Sequence, residues 1–327
     1  MRKALTILGL SLVASFVSFF TTAASAAYPD RAVRVVMPYP PGGGGDLLLR
    51  TLQGSLEKQL GQSLVIDYKT GAAGNIGSFD VAHAKPDGYT LLMAPTNNFV
   101  INQYLFPSMG FDPLKSFAPI SLVVEQPYLL LISSALPAKN YKQFAELAKK
   151  NGKSMNYGSP GGGTVPHISG LMLSDYLGAH MTHIPYRGSQ PGLQALAANE
   201  TQMFIASYGI AAGQINGDKA RPIAVASQKR LASLPDVPTT AEAGIPAGIV
   251  LGNWWGFAAP AGTDPAIVNR WAKAIKSAMA EPEIQRKLVE QGSIAVASTP
   301  DQFGQILQSE AKEWKGIIDK TGVKLGN

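Results

Sequence analysis

The sequence predicts an α/β protein built as two lobes facing each other over a cleft, and three observations carry that prediction. Short apolar runs rich in β-branched residues alternate with stretches of helical spacing, the pattern of mostly parallel sheets covered by helices. The alternation comes in two similar halves, each with a strand that runs into a glycine cluster. These clusters fall where strands end, and open α/β sheets bind their ligands beyond the carboxyl ends of their strands.

In chain order, Met1-Arg2-Lys3, an apolar stretch over 4–20 and the small residues Ala24-Ser25-Ala26 have the parts of a secretory signal. This predicts removal of residues 1–26 and export to the periplasm. The remaining 301 residues hold no further stretch of transmembrane length. Residues 31–37 (RAVRVVM) predict a strand, 38–45 (PYPPGGGG) a loop, and 46–60 a helix. The unit repeats with a strand over 63–68, the tight loop Gly71-Ala72-Ala73-Gly74-Asn75-Ile76-Gly77 and a helix opening at Ser78. A third strand over 89–94 ends in the polar loop Pro95-Thr96-Asn97-Asn98, and strands over 120–124 and 128–133 join across Glu125-Gln126-Pro127.

The second half reuses the device. A helix over 141–150 and a short strand over 155–157 lead to Gly158-Ser159-Pro160-Gly161-Gly162-Gly163-Thr164 and a helix over 165–177. A strand over 181–185 ends in Tyr186-Arg187-Gly188, followed by a helix over 191–198 and strands over 202–206 and 221–226. A turn-rich connection over 234–244 carries one short helix, and 251–259 (LGNWWGFAA) reads as extended. The C-terminal stretches 265–291 and 300–321 read as amphipathic helices that cover a sheet.

Composition bounds the chemistry. The chain has 327 residues, 46% hydrophobic and 15% charged, which suits a folded protein with a sizeable core. Without Arg2 and Lys3, 26 basic residues face 22 acidic ones with no long basic run, so no nucleic-acid footprint is indicated. Cysteine is absent, which excludes disulfide frameworks, thiol nucleophiles and Cys-ligated zinc.

Glycine clusters let a backbone approach a ligand closely, and a helix that follows directly turns its free N–H groups and positive dipole end toward the loop. Such anion sites are predicted at Gly42 to Asp46 and Gly161 to Thr164, with a weaker one at Gly71 to Gly77. No cluster is followed by the Lys of a phosphate-binding loop, and the dinucleotide fingerprint is not matched, so a carboxylate suits them better than a nucleotide.

Arg187, at a strand end, is the best single cation for a carboxylate. His167, on the first turn after the glycines, either faces the cleft and donates to a ligand oxygen or packs locally. Asp46 is most simply a first-turn acid favoured by the helix dipole. Trp254 and Trp255 sit where the chain recrosses between lobes, with core packing expected for at least one of them. Ser159 lacks the glycine that a nucleophile elbow needs two residues before it, and His180 and His183 straddle a helix-to-strand junction with no third metal ligand evident. Neither a hydrolase site nor a metal site is predicted.

As a set, several motifs resemble the Bug family, the extracytoplasmic solute receptors of tripartite tricarboxylate transporters. They are Tyr28-Pro29-Asp30-Arg31, Val36-Met37-Pro38-Tyr39-Pro40-Pro41-Gly42-Gly43-Gly44-Gly45-Asp46, Gly71 to Gly77, Pro86-Asp87-Gly88-Tyr89-Thr90, Tyr157 to His167, Pro185-Tyr186-Arg187-Gly188, Leu234-Pro235-Asp236-Val237-Pro238-Thr239 and Ala258 to Thr263. The resemblance implies a type II periplasmic binding protein with lobe 1 over 27–126 plus 252–327 and lobe 2 over 127–251. It further implies a small carboxylate ligand, no cofactor, no enzymatic activity and delivery to membrane permease subunits. A sensor kinase is a further partner that the same closed form would serve.

Carried over by position, the ligand-binding residues are Tyr39, Gly43, Gly44, Thr96 and Asn97 in the first lobe, with Asn75 from the intervening glycine loop. In the second lobe they are Ser159, Thr164, His167, Tyr186, Arg187, Ala206 and Ser207. One departure bears on the ligand. Many relatives resembled here carry an acid in a Met-Phe-Asp pattern at the last of these strand ends, where this chain reads Met203-Phe204-Ile205-Ala206-Ser207. A ligand ammonium would lose its partner, so the expected ligand is an acid without a free amino group, a di- or tricarboxylate or a flatter aromatic acid accommodated near Tyr208 and the Trp pair. The alternative expectation is a periplasmic hydrolase on the same scaffold.

Overall fold

The first strand, β1 (Val33–Met37), is a β-branched run with no polar side chain after Arg34, and it lies deep in a sheet with four of its five residues buried. The structure, a computed structural model, describes residues 28–249 and 252–325, and the expected signal segment lies outside them. From β1 the chain passes through α1 (Gly44–Leu60), which ends at a left-handed Gly61, then β2 (Leu64–Tyr68), α2 (Asn75–Ala82) and β3 (Thr90–Pro95). A tight helical turn over 97–101 leads into α3 (Asn102–Leu105), and the long β4 (Phe117–Gln126) closes this part.

The chain crosses at Pro127 into β5 (Tyr128–Ser133) and continues through α4 (Tyr141–Asn151), β6 (Asn156–Ser159), α5 (Val165–Tyr176), β7 (Thr182–Pro185) and α6 (Ser189–Ala197). It completes the second sheet with β8 (Met203–Ser207), α7 (Tyr208–Asn216) and β9 (Ala220–Val225). It returns as β10 (Asn253–Pro260), followed by α8 (Pro265–Met279), α9 (Pro282–Glu290), β11 (Ile294–Ala295) and α10 (Pro300–Thr321).

The two sheets share one strand order. The first runs β2-β1-β3-β10-β4-β11 and the second β7-β6-β8-β5-β9. In each, three parallel strands lie in the order second, first, third, and an antiparallel strand from the crossing chain is inserted before the fourth. The expectation of mostly parallel sheets is corrected accordingly. The sheets are mixed because β5 and β10 each enter from the other lobe, and a strand's direction leaves no mark on its hydrophobic period.

Each sheet is buried on both faces. Trp255 points into the core shared with α1 and α8, while its neighbour Trp254 points to the opposite face, against α10. In the second sheet Leu130 and Ile132 face one core, and Leu129 and Leu131 the other.

Three local differences from expectation have simple causes. The segment over 234–244 forms turns but no helix: Thr239 and Glu242 make a reciprocal cap, and Gly244 at φ 78° ends the turn at once. The stretch 265–291 splits into α8 and α9, because Pro282 has no N–H to continue α8. The helix α7 was hidden by its two glycines, Gly209 and Gly213, which lower helix propensity.

Candidate functional site

A cavity lies between the carboxyl ends of the two sheets. Eight of the expected site residues line it: Tyr39, Gly43, Gly44 and Asn97 from one lobe, and Thr164, Arg187, Ala206 and Ser207 from the other. Asn75, Thr96, Ser159, His167 and Tyr186 do not. Each of these five is engaged behind the wall. Asn75 accepts from Asn102 Nδ2 at 2.6 Å, Thr96 Oγ1 accepts from the Trp254 N–H at 3.2 Å, and Tyr186 donates its N–H to Ser159 O at 2.9 Å. The loop over 71–77 also stands off the cavity, where its Ala73 carbonyl collects hydrogen bonds from Tyr39 Oη and Asn102 Nδ2.

The first glycine loop is shaped by what packs on it. A Cβ on Gly44 would lie 2.7 Å from Gln126 Oε1, and one on Gly45 would lie 2.3 Å from the Trp255 ring. Gly42 adopts a positive φ of 80°. The loop therefore needs glycine for close approach as well as for its turn. At its end, Asp46 accepts from Gly42 N–H at 2.8 Å, from Arg50 Nε at 2.9 Å and from Tyr68 Oη. Burial works against the Asp46 charge, but these donors outweigh it and hold the carboxyl below its ordinary range. The α1 N-terminus thus already holds one internal anion.

The second glycine loop is satisfied from within. Gly163 donates its N–H to His167 Nδ1 at 3.0 Å, and the Val165 N–H donates to Asn97 Oδ1 at 3.2 Å. Asn97 Nδ2 donates in turn to Gly163 O at 2.6 Å. Asn97 thus bridges the lobes as well as lining the cavity. Beneath the loop the His167 and His183 rings stack at 3.9 Å, and Tyr157 lies 5.0 Å from His183. Burial, followed by the neighbouring His167, pushes the His183 pKa down to about 3, and burial lowers that of His167 as well. Both are neutral rings at ordinary pH. Ser159 Oγ lies 2.7 Å from His183 Nε2, but Ser159 is fully buried, so this contact braces the loop and offers no accessible nucleophile.

The hinge supplies a floor of which the sequence pointed only to Ser207. Gln126 pairs with Asn253 across β4 and β10, and Tyr128 pairs with Ser207 across β5 and β8. All four line the cavity. Gln126 Oε1 accepts from Trp255 Nε1 at 3.1 Å. The Asn253 carboxamide and the Ser207 hydroxyl are buried and have no partner among the described residues. Burial pushes the Tyr128 phenol well above its ordinary value, so it stays protonated. Only strand pairing brings these four together, and no local motif announces it.

Charge in the cavity is sparse. Asp46 and Arg187 are its charged lining residues, and Arg187 stands exposed at the rim with no ion pair among the described residues. The N-terminal residues of α6, Ser189 and Gln190, add backbone N–H groups on the same side. Trp255 and Tyr39 contribute ring surface, with the Tyr39 hydroxyl turned away to Ala73 and Asn98. Trp254 instead donates its Nε1–H to Glu310 at 2.7 Å on the far side of the hinge, and Tyr208 packs against Gly292. Two of the three rings expected to accommodate a flat aromatic acid therefore lie outside the cavity.

Two lobes with matching sheets, crossing strands and a cavity at the strand ends define a solute-binding protein of the two-lobed periplasmic class. The chain belongs to the tripartite tricarboxylate transporter receptor family, whose model matches residues 48–323. It is similar to the periplasmic binding protein BugD, with 32% identity, a TM-score of 0.84 and coverage of 91% of this chain and 99% of that one. It is also similar to MatC from Rhodopseudomonas palustris with bound malate, at 31% identity, TM-score 0.83 and coverage of 89% and 100%. A third similar structure, Rpa4515 of R. palustris with adipate, gives 29% identity, TM-score 0.86 and coverage of 90% and 98%. Members of the family are periplasmic solute-binding receptors. No helix among the described residues is long and apolar enough to cross a membrane.

Proposed function

We propose that this chain, freed of residues 1–26 and exported, closes on a small organic carboxylate without a free amino group and delivers it to a tripartite-type membrane permease. The observation that carries this reading is the charge pattern of the cavity. Arg187 and the α6 N-terminus offer positive potential, while the one acidic lining side chain, Asp46, already has its oxygens taken by Gly42, Tyr68 and Arg50. An ammonium group would find no free carboxylate there. Malate and adipate, held by two similar receptors, are both amine-free dicarboxylates. An aliphatic acid is favoured over an aromatic one by the outward placement of Trp254 and Tyr208.

The proposed ligand-facing set is Tyr39, Gly43, Gly44, Asn97, Thr164, Arg187, Ala206 and Ser207, with Asn75, Thr96, Ser159, His167 and Tyr186 as supports behind it. The lobes are proposed to divide at 126/127 and 251/252, supported by the separation of β4 and β5 into different sheets. A thermal-shift screen of the mature protein against aliphatic, aromatic and amino dicarboxylates tests the function. Saturable stabilisation by an amine-free acid, recovered unchanged, supports it. Stabilisation confined to amino acids, or consumption of the hit, contradicts it.

A further inference from the structure

Asn253 opens β10, the strand that returns across the hinge, and it is 4% exposed with both Nδ2 and Oδ1 unpaired among the described residues. It also borders a groove behind the hinge, but its strand fixes its direction. Side chains alternate along a strand, and cross-strand partners share a face. Trp254 and its partner Glu125 face the groove, so Asn253, its partner Gln126 and Trp255 face the cleft. From the other lobe Ser207, 1% exposed, brings a second unpaired polar atom to the same cavity, and no side-chain hydrogen bond ties it to the helix it caps. The crossing segment Gln126-Pro127-Tyr128 links the two, since Gln126 pairs with Asn253 and Tyr128 with Ser207.

Buried polar groups without partners are costly and therefore uncommon, and two that share one cavity point to an occupant that completes them. The chemistry of the pair restricts what that occupant offers. A carboxylate accepts only: it would satisfy Asn253 Nδ2 and leave Oδ1 facing negative charge. An ammonium donates only, which leaves Nδ2 unmet. A hydroxyl accepts from Nδ2 and donates to Oδ1 or to Ser207 Oγ.

We propose that Asn253 and Ser207 are specificity residues that read a hydroxyl on the ligand, so that the receptor's substrate class is a hydroxylated carboxylic acid. The inference rests on the carboxylate reading above. The hydroxyl lies at the hinge floor, and a carboxylate lies toward Arg187. Because the floor groups belong to different lobes and are joined through the crossing strand, pairing them also favours the closed arrangement.

Calorimetric titration of the mature protein with two matched pairs tests it: malate against succinate, and citrate against tricarballylate, each pair differing by one hydroxyl. At least one pair is expected to show tenfold or greater preference for the hydroxylated acid, because a site built to pair a hydroxyl is left with unpaired groups by the analogue lacking it. Ser207→Ala is expected to reduce that preference to below about threefold. Asn253→Leu provides a second test of the same kind, and Ser207→Ala, a smaller change, guards against its misfolding. Equal affinity within each pair, as a trapped water at the floor would give, overturns the inference, as does a preference that survives both substitutions. If adipate binds and no hydroxylated acid does, the inference falls and the carboxylate reading stands. If no carboxylate binds, both fall together.

Discussion

Asn97 reaches across the cleft and grips the opening turn of α5, donating to Gly163 O at 2.6 Å and accepting from the Val165 N–H at 3.2 Å. One side chain thereby caps a helix of the other lobe, and it does so only while the lobes are together. Asn97→Ala is expected to weaken ligand affinity by roughly tenfold, in line with about 1–2 kcal/mol for a lost cap and its companion bond. Small-angle scattering of the liganded variant should show a more expanded particle than the liganded parent. An unchanged affinity and profile would remove Asn97 from closure.

Two glycines of α1 predict opposite outcomes. A Cβ on Gly45 would strike the Trp255 ring at 2.3 Å, whereas one on Gly54 meets nothing within 4 Å. Gly45→Ala should destabilise the protein by about 1–3 kcal/mol through overpacking and disturb the cavity wall. Gly54→Ala should stabilise it by about 0.5–1 kcal/mol, because alanine is the better helix former. Urea unfolding of the two variants measures both.

The acid limb of stability is expected to carry an Asp46 contribution. Its folded pKa is depressed, so the stabilisation is present above the unfolded value of about 3.9 and is lost as pH falls through the lower folded value. Asp46→Asn should cost about 1–3 kcal/mol at pH 7, and the gap to the parent should narrow below about pH 4. Denaturation midpoints across pH 2.5 to 7 follow it, and a gap that stays constant to the lowest pH would contradict the assigned role.

The buried histidine pair predicts a separate window. With the folded His183 pKa at about 3 and an unfolded value of about 6.5, the unfolded chain binds a proton that the native state refuses between those limits. Stability is full above about pH 6.5 and falls as pH drops, by up to about 1.4 kcal/mol per unit for this group, with His167 acting in the same direction. His183→Gln should flatten the profile between pH 6.5 and 4.5. An equally steep profile in the variant would place the titration elsewhere.

Much of the fold was legible because its signals are local. The run Val33 to Met37, the four glycines after Pro41 and the helical spacing through Leu60 read as strand, loop and helix, and the structure places them so. What escaped depends on distant pairing. The antiparallel entry of β5 and β10 changes no side-chain period, so the mixed sheets were invisible. Gln126, Tyr128 and Asn253 carry no motif and become a floor only when the crossing strands align. The bridge that Asn97 also makes between the lobes carries no local signal, because its partner, Gly163, lies 66 residues away. At the glycine loop Gly161 to Thr164, His167 accepts from the Gly163 N–H and Asn97 from the Val165 N–H that follows, which only the folded geometry reveals.

The proposed function requires the cleft to take an amine-free carboxylate against Arg187. Calorimetric titration of the mature protein and of Arg187→Gln with malate, adipate, aspartate and glutamate tests it most directly. Saturable one-to-one binding of malate or adipate is expected, with at least tenfold weaker binding of both amino acids and a loss of tenfold or more in the Arg187→Gln variant. Tight binding of aspartate or glutamate, or full affinity in the variant, would contradict it.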